Sequence, residues 1–210
     1  MGLNQADMDH RKILGLQAWW LPGLAVSIAV LIALTGDWGR ELLRYDRLAI
    51  GGGDLWRLVS GHFVHLGWSH FALNAVGLVL ISYLVAAQFS AVQWLLITLF
   101  IIMGIDLGFW FLEPQLAWYV GLSGVLHGLL AAGVASGMRD RHSDSWLLGG
   151  LLVIKLIYEQ LVGPVPGSEG TSGGDVVVAA HLYGAIAGAL AGVGHSIMRG
   201  HATETHRRKN

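Results

Sequence analysis

Three short polar motifs in this otherwise apolar chain contain the residue types that hydrolytic chemistry needs. In chain order they are His65-x4-His70-x3-Asn74, Gly121-Leu-Ser123-Gly124 and His181-x2-Gly184. Each motif opens a long apolar run, and polar side chains in lipid-embedded segments are costly and usually functional. A hydroxyl, an imidazole and a carboxamide are the groups that a serine hydrolase uses. The motifs therefore predict an active site built inside a membrane.

The composition indicates an integral membrane protein with a single domain, residues 1–210. Hydrophobic residues make up 54% of the chain and charged residues 13%, whereas about a quarter of the residues in soluble domains are charged. A formal net charge of -1 gives no basic field that would attract nucleic acid. The chain has no cysteine, which excludes disulfides, zinc-thiolate sites and a cysteine nucleophile.

Six apolar runs approach the length that crosses the hydrocarbon core, which takes about 20 helical residues. They cover residues 18–35, 69–88, 91–112, 122–138, 146–162 and 176–198. We therefore predict an all-α polytopic membrane protein with six transmembrane helices. The connection 36–67 contains tryptophans and is expected to be partly helical and to lie in the outer interface. The Gly-, Pro- and Ser-rich connection 163–175 is expected to be either a mobile lid or an ordinary solvated loop.

Basic residues in the connections predict the orientation, because they collect on the cytoplasmic side. With the N terminus inside, that side would hold Arg11, Lys12, Arg139, Arg141, Arg199, Arg207, Arg208 and Lys209. The outer connection 36–67 carries four arginines that are interleaved with four acidic residues. Both termini are therefore expected in the cytoplasm. His70, Ser123 and His181 would each lie near the start of a helix that runs inward, at one depth on the outer side.

Ser123 and His181 are the expected nucleophile and base. Flanking glycines leave the Ser123 hydroxyl open to a peptide backbone, and the helix start offers N–H groups to an oxyanion, although a serine there can also simply cap the helix. His181 heads a stripe formed with Gly184, Gly188 and Gly192, which would let two helices approach closely. Imidazole titrates near neutral pH and suits a general base. We therefore expect a Ser123–His181 dyad.

His70 and Asn74 are the expected oxyanion donors, because one helical turn separates them and both side chains share a face. His127 lies four residues after Ser123 and faces the same way. It is expected either to contact His181 or to be an ordinary interior histidine. His65, just before the helix, is expected to hold the outer connection in place.

No acidic residue is placed convincingly as a third member of the dyad. Asp106 could orient His181, but a buried carboxyl paired to a neighbouring helix is the alternative. Lys155 and Glu159 are one helical turn apart and are expected to neutralise each other without a catalytic role.

At these motifs the chain resembles the rhomboid intramembrane serine proteases. The resemblance runs from Trp56-Arg57 through the three motifs, in family order. It implies a six-helix rhomboid-like bundle, a Ser123 nucleophile activated by His181 without an aspartate, and no metal or other cofactor. It also implies an oxyanion hole from His70, Asn74 and the Ser123 N–H, water access from the outer face, and substrate access between the second and fifth helices.

Residues 121–129 (GLSGVLHGL) and the lack of an added soluble domain resemble the rhombosortase branch. That branch implies a multi-pass enzyme of the bacterial inner membrane, which cleaves exported proteins that end in a Gly-Gly motif, an apolar helix and a basic tail. Many rhomboids carry an aromatic residue at the position of His127, where it stacks on the catalytic histidine. The alternatives are a general rhomboid protease of other single-span substrates, a non-catalytic rhomboid-like binding protein, and a histidine-rich haem or metal protein.

Overall fold

Long and short α-helices make up most of the described residues. A computed structural model describes residues 19–85, 88–139 and 143–207. In this part of the chain the helices are α1 (Trp20–Leu34), α2 (Gly36–Leu43), α3 (Arg47–Gly51), α4 (Arg57–Ser60), α5 (Trp68–Val85), α6 (Ala91–Leu112), α7 (Ser123–Arg139), α8 (Ser143–Leu161), α9 (Ser168–Ser172) and α10 (Val178–Arg207). Five basic residues of the orientation argument lie outside the described residues, namely Arg11, Lys12, Arg141, Arg208 and Lys209.

Three of the described helices are long and apolar enough to cross a membrane, namely α5, α6 and the Val178–Gly200 part of α10. Helices α1 and α2 together would give a fourth span, but the chain bends by 118° between them. Helix α7 has only 17 residues, and α8 carries Asp144, Lys155 and Glu159. By length and composition the count is thus three or four, against the six spans predicted from the sequence.

The connection between α1 and α5 is ordered around a buried arginine. It contains α2 to α4 and a 3-10 turn, Gly61–Phe63. Arg57 donates from Nη1 to the carbonyl oxygens of Glu41 and Arg44, at 2.8 and 3.2 Å, and its Nε lies 3.0 Å from an Asp54 carboxylate oxygen. Strand β1 (Tyr45–Asp46) of this connection pairs antiparallel with strand β2 (Trp118–Tyr119). The connection is therefore tied to the segment directly before Ser123.

The connection 163–175 is more structured than its composition predicts. It contains the short helix α9, with the left-handed residues Gly167 and Gly173 at its two ends. Ser172 is buried, and its hydroxyl oxygen lies 3.2 Å from the Glu169 carbonyl oxygen and 2.9 Å from that of Gly174, so its single proton can be donated to either. The sequence analysis did not predict this helical turn, and the expectation of a mobile lid or an ordinary solvated loop stays a prediction.

Helices α7 and α10 pack with their backbones in contact along the glycine stripe. A β-carbon at Gly184 would collide with the backbone of Gly124, and one at Gly188 would collide with the backbone of Gly128. Small residues allow such an approach because no side chain separates the helices. The contact brings the N-terminal ends of both helices together.

Gly188→Ala should destabilise the protein, because its methyl group must displace the Gly128 backbone, and overpacking typically costs about 1–3 kcal/mol. Gly194→Ala on the same helix is the control, since a β-carbon there meets nothing within 4 Å. Alanine favours a helix over glycine by about 0.5–1 kcal/mol, so the control should keep or raise the thermal midpoint. Both midpoints are measured on purified protein in detergent, and equal values would contradict the close contact.

Candidate active site

The turn before α7 is fixed by its glycine and by a buried tyrosine. Gly121 has a φ of +128°, a region that glycine adopts without strain. Its N–H donates to the Gly61 carbonyl at 3.2 Å, and its own carbonyl accepts from the Tyr119 hydroxyl at 2.6 Å. A β-carbon at Gly121 would also lie 3.1 Å from the His70 ring. Sequence analysis gave Tyr119 no role, because a two-residue strand leaves no periodic pattern.

Ser123 and His181 are brought together at the ends of the two packed helices. Ser123 is the first residue of α7, and His181 lies in the first turn of α10. The Ser123 Oγ and the His181 Nε2 are 2.9 Å apart. A hydroxyl within hydrogen-bond distance of an imidazole nitrogen is the arrangement that activates a serine nucleophile.

The other ring nitrogen of His181 contacts a buried carboxylate from α8. Oε2 of Glu159 lies 2.9 Å from Nδ1 of His181, while Oε1 of the same carboxylate lies 2.6 Å from Nζ of Lys155. The predicted pair of Lys155 and Glu159 is confirmed, but the sequence analysis did not predict the contact of Glu159 with His181. A signal was available, because Glu159 lies two residues before the C-terminal end of α8, which the predicted topology puts at the depth of Ser123.

Asp106 does not reach His181. Its Oδ1 lies 3.3 Å from Nε2 of His62, which is buried in the 3-10 turn after α4. The expectation that Asp106 could orient His181 is therefore wrong, and the alternative of a carboxyl paired to a neighbouring element describes this residue.

His70 and Asn74 lie on α5, beside Ser123 of α7, and both are buried. Nδ1 of His70 accepts from the Leu66 N–H at 3.4 Å, so the proton of the neutral ring lies on Nε2, on the side that faces Gly121. The Asn74 amide donates one N–H to the His70 carbonyl at 3.1 Å, and an amide has a second N–H to offer.

His65 packs edge-on against His70, with ring centroids 5.0 Å apart. Burial, with a smaller contribution from His70, lowers the pKa of His65 to about 4. This ring is therefore neutral at pH 7, which lets the two histidines lie together without charge repulsion.

His127 stacks on the candidate base. Its ring centroid is 4.1 Å from that of His181, and the two planes differ by 17°. Nδ1 of His127 donates to the Ser123 carbonyl at 2.7 Å, which fixes the ring against the first turn of α7. Of the two expectations for His127, the structure thus places it in contact with His181 rather than among unrelated interior side chains.

A cavity of about 230 Å³ opens onto the Ser123 hydroxyl. It is lined by side chains from α5, α7, α8 and α10, and also by Val165, Ser168, Ser172 and Asp175 of the connection 163–175. His70, Asn74, Ser123 and His181 all line this cavity. The space beside Gly121 is filled by the His70 ring and that beside Gly124 by Ala180 and Ile105, so these glycines allow close packing rather than an open flank beside Ser123.

One group of three side chains in the described ranges has the composition of a metal site. Donor atoms of His127, Glu159 and His181 lie within 4.8 Å of one another. However, both nitrogens of His181 and the Nδ1 of His127 already have hydrogen-bond partners. Imidazole lone pairs lie in the ring plane, so two stacked rings do not aim at one ion. The geometry favours a hydrogen-bonded network over a metal centre.

Comparison with known proteins identifies the family. The Rhomboid domain model matches residues 52–197, which is more than half of the chain. No individual curated protein matches significantly. The matched segment starts in the outer connection and ends in α10, so it contains every element that lines the cavity at Ser123. This integral membrane protein therefore belongs to the rhomboid family, whose members are intramembrane serine proteases.

Proposed function

We propose that the protein is a serine endopeptidase that cleaves transmembrane substrates, with Ser123 as nucleophile and His181 as base. The observation that carries the proposal is the 2.9 Å separation between Ser123 Oγ and His181 Nε2 at the wall of the cavity. Ser123 Oγ attacks the scissile carbonyl carbon while its proton moves to Nε2. His181 then gives that proton to the leaving amine, and water repeats the sequence on the acyl-enzyme.

Three kinds of donor belong to residues that line the cavity. They are the proton on His70 Nε2, the second Asn74 amide N–H and the N–H groups of the first α7 turn. The N terminus of α7 adds a partial positive charge. We assign His70, Asn74 and the Ser123 N–H to the oxyanion hole.

Ser123→Ala and His181→Ala should abolish cleavage of a single-span substrate and leave the thermal midpoint near that of the wild type, because neither opens a large void. A fluorophosphonate probe should modify Ser123, which mass spectrometry of the adduct identifies. Ser172 lines the same cavity without a base beside it and is the internal control. Labelling that persists in Ser123→Ala would point to another nucleophile.

His70→Ala and Asn74→Ala should each lower turnover by roughly 10- to 1000-fold without abolishing it, as expected for loss of one oxyanion donor. Leu73→Ala is the matched control, since Leu73 lines the cavity on the same helix and has no side-chain donor. Turnover numbers are compared on one substrate in detergent. Wild-type turnover in both donor variants would remove these residues from the site.

We propose that both termini lie in the cytoplasm of a bacterial cell and that the site opens to the outer face of the inner membrane. The structure supports this through the ends of the site helices. Ser123 begins α7 and Arg139 ends it, while His181 lies in the first turn of α10 and Arg199 lies at the far end of its apolar part, Val178–Gly200. Because basic residues favour the cytoplasmic side, the ends that carry Ser123 and His181 belong on the outer side.

The proposed substrates carry a C-terminal Gly-Gly motif, one apolar helix and a basic tail, as in rhombosortase-type processing. A transmembrane helix must unwind before its backbone reaches Ser123, and glycine lowers that cost by about 1 kcal/mol per residue relative to alanine. The cavity is lined by both α5 and α8, which supports substrate access between them.

A fusion protein with such a tail should be cut near the glycines, and its exported domain should be released on the outer side. Replacing both substrate glycines by leucine should suppress cleavage more than shortening the basic tail, because leucine stabilises the substrate helix. Release is measured by immunoblotting of the medium or periplasm, and the cut by sequencing of new C termini. Equal cutting of the leucine form would leave a general rhomboid protease, and a product found only inside would contradict the orientation.

A further inference from the structure

Glu159 is an ionisable residue that the dyad mechanism does not use, although it lies directly behind the base. Only 3% of its surface is exposed. Its Oε2 lies 2.9 Å from His181 Nδ1, and its Oε1 lies 2.6 Å from Lys155 Nζ. Burying a carboxylate inside a membrane protein is costly unless both of its oxygens are paired. Here each oxygen has a partner with a different possible function.

The direction of these hydrogen bonds fixes the tautomer of His181. An ionised carboxylate only accepts hydrogen bonds, so the proton of the neutral ring lies on Nδ1. Nε2 then carries the lone pair and faces the Ser123 hydroxyl, which lies 2.9 Å away. The opposite tautomer would place a proton on Nε2 and leave the ring unable to accept one from serine.

We propose that Glu159 is a positioning residue for His181, so that this rhomboid uses a Ser123–His181–Glu159 triad rather than a dyad. The inference rests on the proposed peptidase activity. When Ser123 attacks, its proton moves from Oγ to Nε2, the Nδ1 proton stays on the ring, and Glu159 stays ionised. The carboxylate then faces an imidazolium at 2.9 Å and stabilises the charge that develops in the transition state.

Lys155 explains how the carboxylate is kept ionised between turnovers. Its ammonium group compensates the charge of Glu159 while His181 is neutral, and both residues lie on α8 one turn apart. Lys155 also lines the cavity that opens onto the Ser123 hydroxyl. The pair therefore carries no net charge in the resting site and can hold a cation on the imidazole during the reaction.

His127 completes the constraint on the ring. It stacks on the face of the His181 ring. Its Nδ1 donates to the Ser123 carbonyl and not to Glu159. Stacking limits tilting of the imidazole, whereas the carboxylate fixes its rotation and tautomer. The two contacts are independent, so the effect of Glu159 can be measured with the stack intact.

The test compares Glu159→Gln with the wild type in the purified full-length protein. The glutamine keeps the shape of the side chain but removes the charge that fixes the tautomer. We expect kcat and the rate of Ser123 modification by a fluorophosphonate to fall by about 100- to 10,000-fold, the range for losing the carboxylate partner of a catalytic histidine. KM should change by less than about threefold, because Glu159 acts through His181. Glu159→Asp should recover part of the rate.

Asp106→Asn is the matched control, because it also removes a buried carboxylate from a histidine. It should change stability without the selective loss of kcat. Lys155→Met/Glu159→Gln is a second variant that leaves no unpaired ammonium, and it should lose the same rate factor. In the wild type, the His181 Nδ1–H proton should give a far-downfield NMR resonance that disappears in His181→Ala.

The outcomes separate this inference from the proposed function. A wild-type protein that neither cleaves substrate nor reacts with the probe would overturn the peptidase itself. If the wild type is reactive and the folded Glu159→Gln or double variant reacts within about threefold of the wild-type rate, the triad alone would be overturned. If neither variant folds, the downfield resonance of the active wild type decides. Its absence would overturn the triad, and its presence would support the triad.

Discussion

The site depends on the backbone contact between α7 and α10. The Ser123 hydroxyl and the His181 imidazole come from residues 58 positions apart in the chain, and each side chain is too short to bridge two helices at an ordinary separation of 8–10 Å. Gly124 and Gly184 remove the side chains that would hold the helices apart. The glycine stripe is therefore as much a part of the chemistry as the hydroxyl, because it sets the distance between nucleophile and base.

A second constraint is that every buried charge near the site must be paired. Asp106 meets His62, and Glu159 meets both Lys155 and His181. These pairs have different consequences. The first joins α6 to the 3-10 turn behind the site, whereas the second lies at the cavity and contacts the base. Burial alone thus does not separate a structural carboxylate from a functional one. What distinguishes them is the partner of the second ring nitrogen of the histidine, which for His181 is the Ser123 hydroxyl.

Much of the site could be predicted from direction and depth. In the predicted topology of six alternating helices, residues at the starts of the second, fourth and sixth helices share one level, which predicts that His70, Ser123 and His181 lie together without any knowledge of packing. The glycine spacing on the last helix then indicates which two helices touch. These arguments use hydrophobic periodicity and the distribution of charge. Both can be detected in a sequence because they repeat or accumulate over many residues.

Rotation of a helix about its own axis leaves a weaker trace, and this is why Glu159 was missed. Its charge already had a partner in Lys155 at the i+4 spacing, so charge pairing along the helix did not indicate a second one. A carboxylate has two oxygens, however, and a single lysine satisfies one of them. In a segment where unsatisfied polar atoms are costly, the second oxygen of Glu159 required a donor from another helix. At the depth of Ser123, the donor that α10 supplies is the free nitrogen of the base.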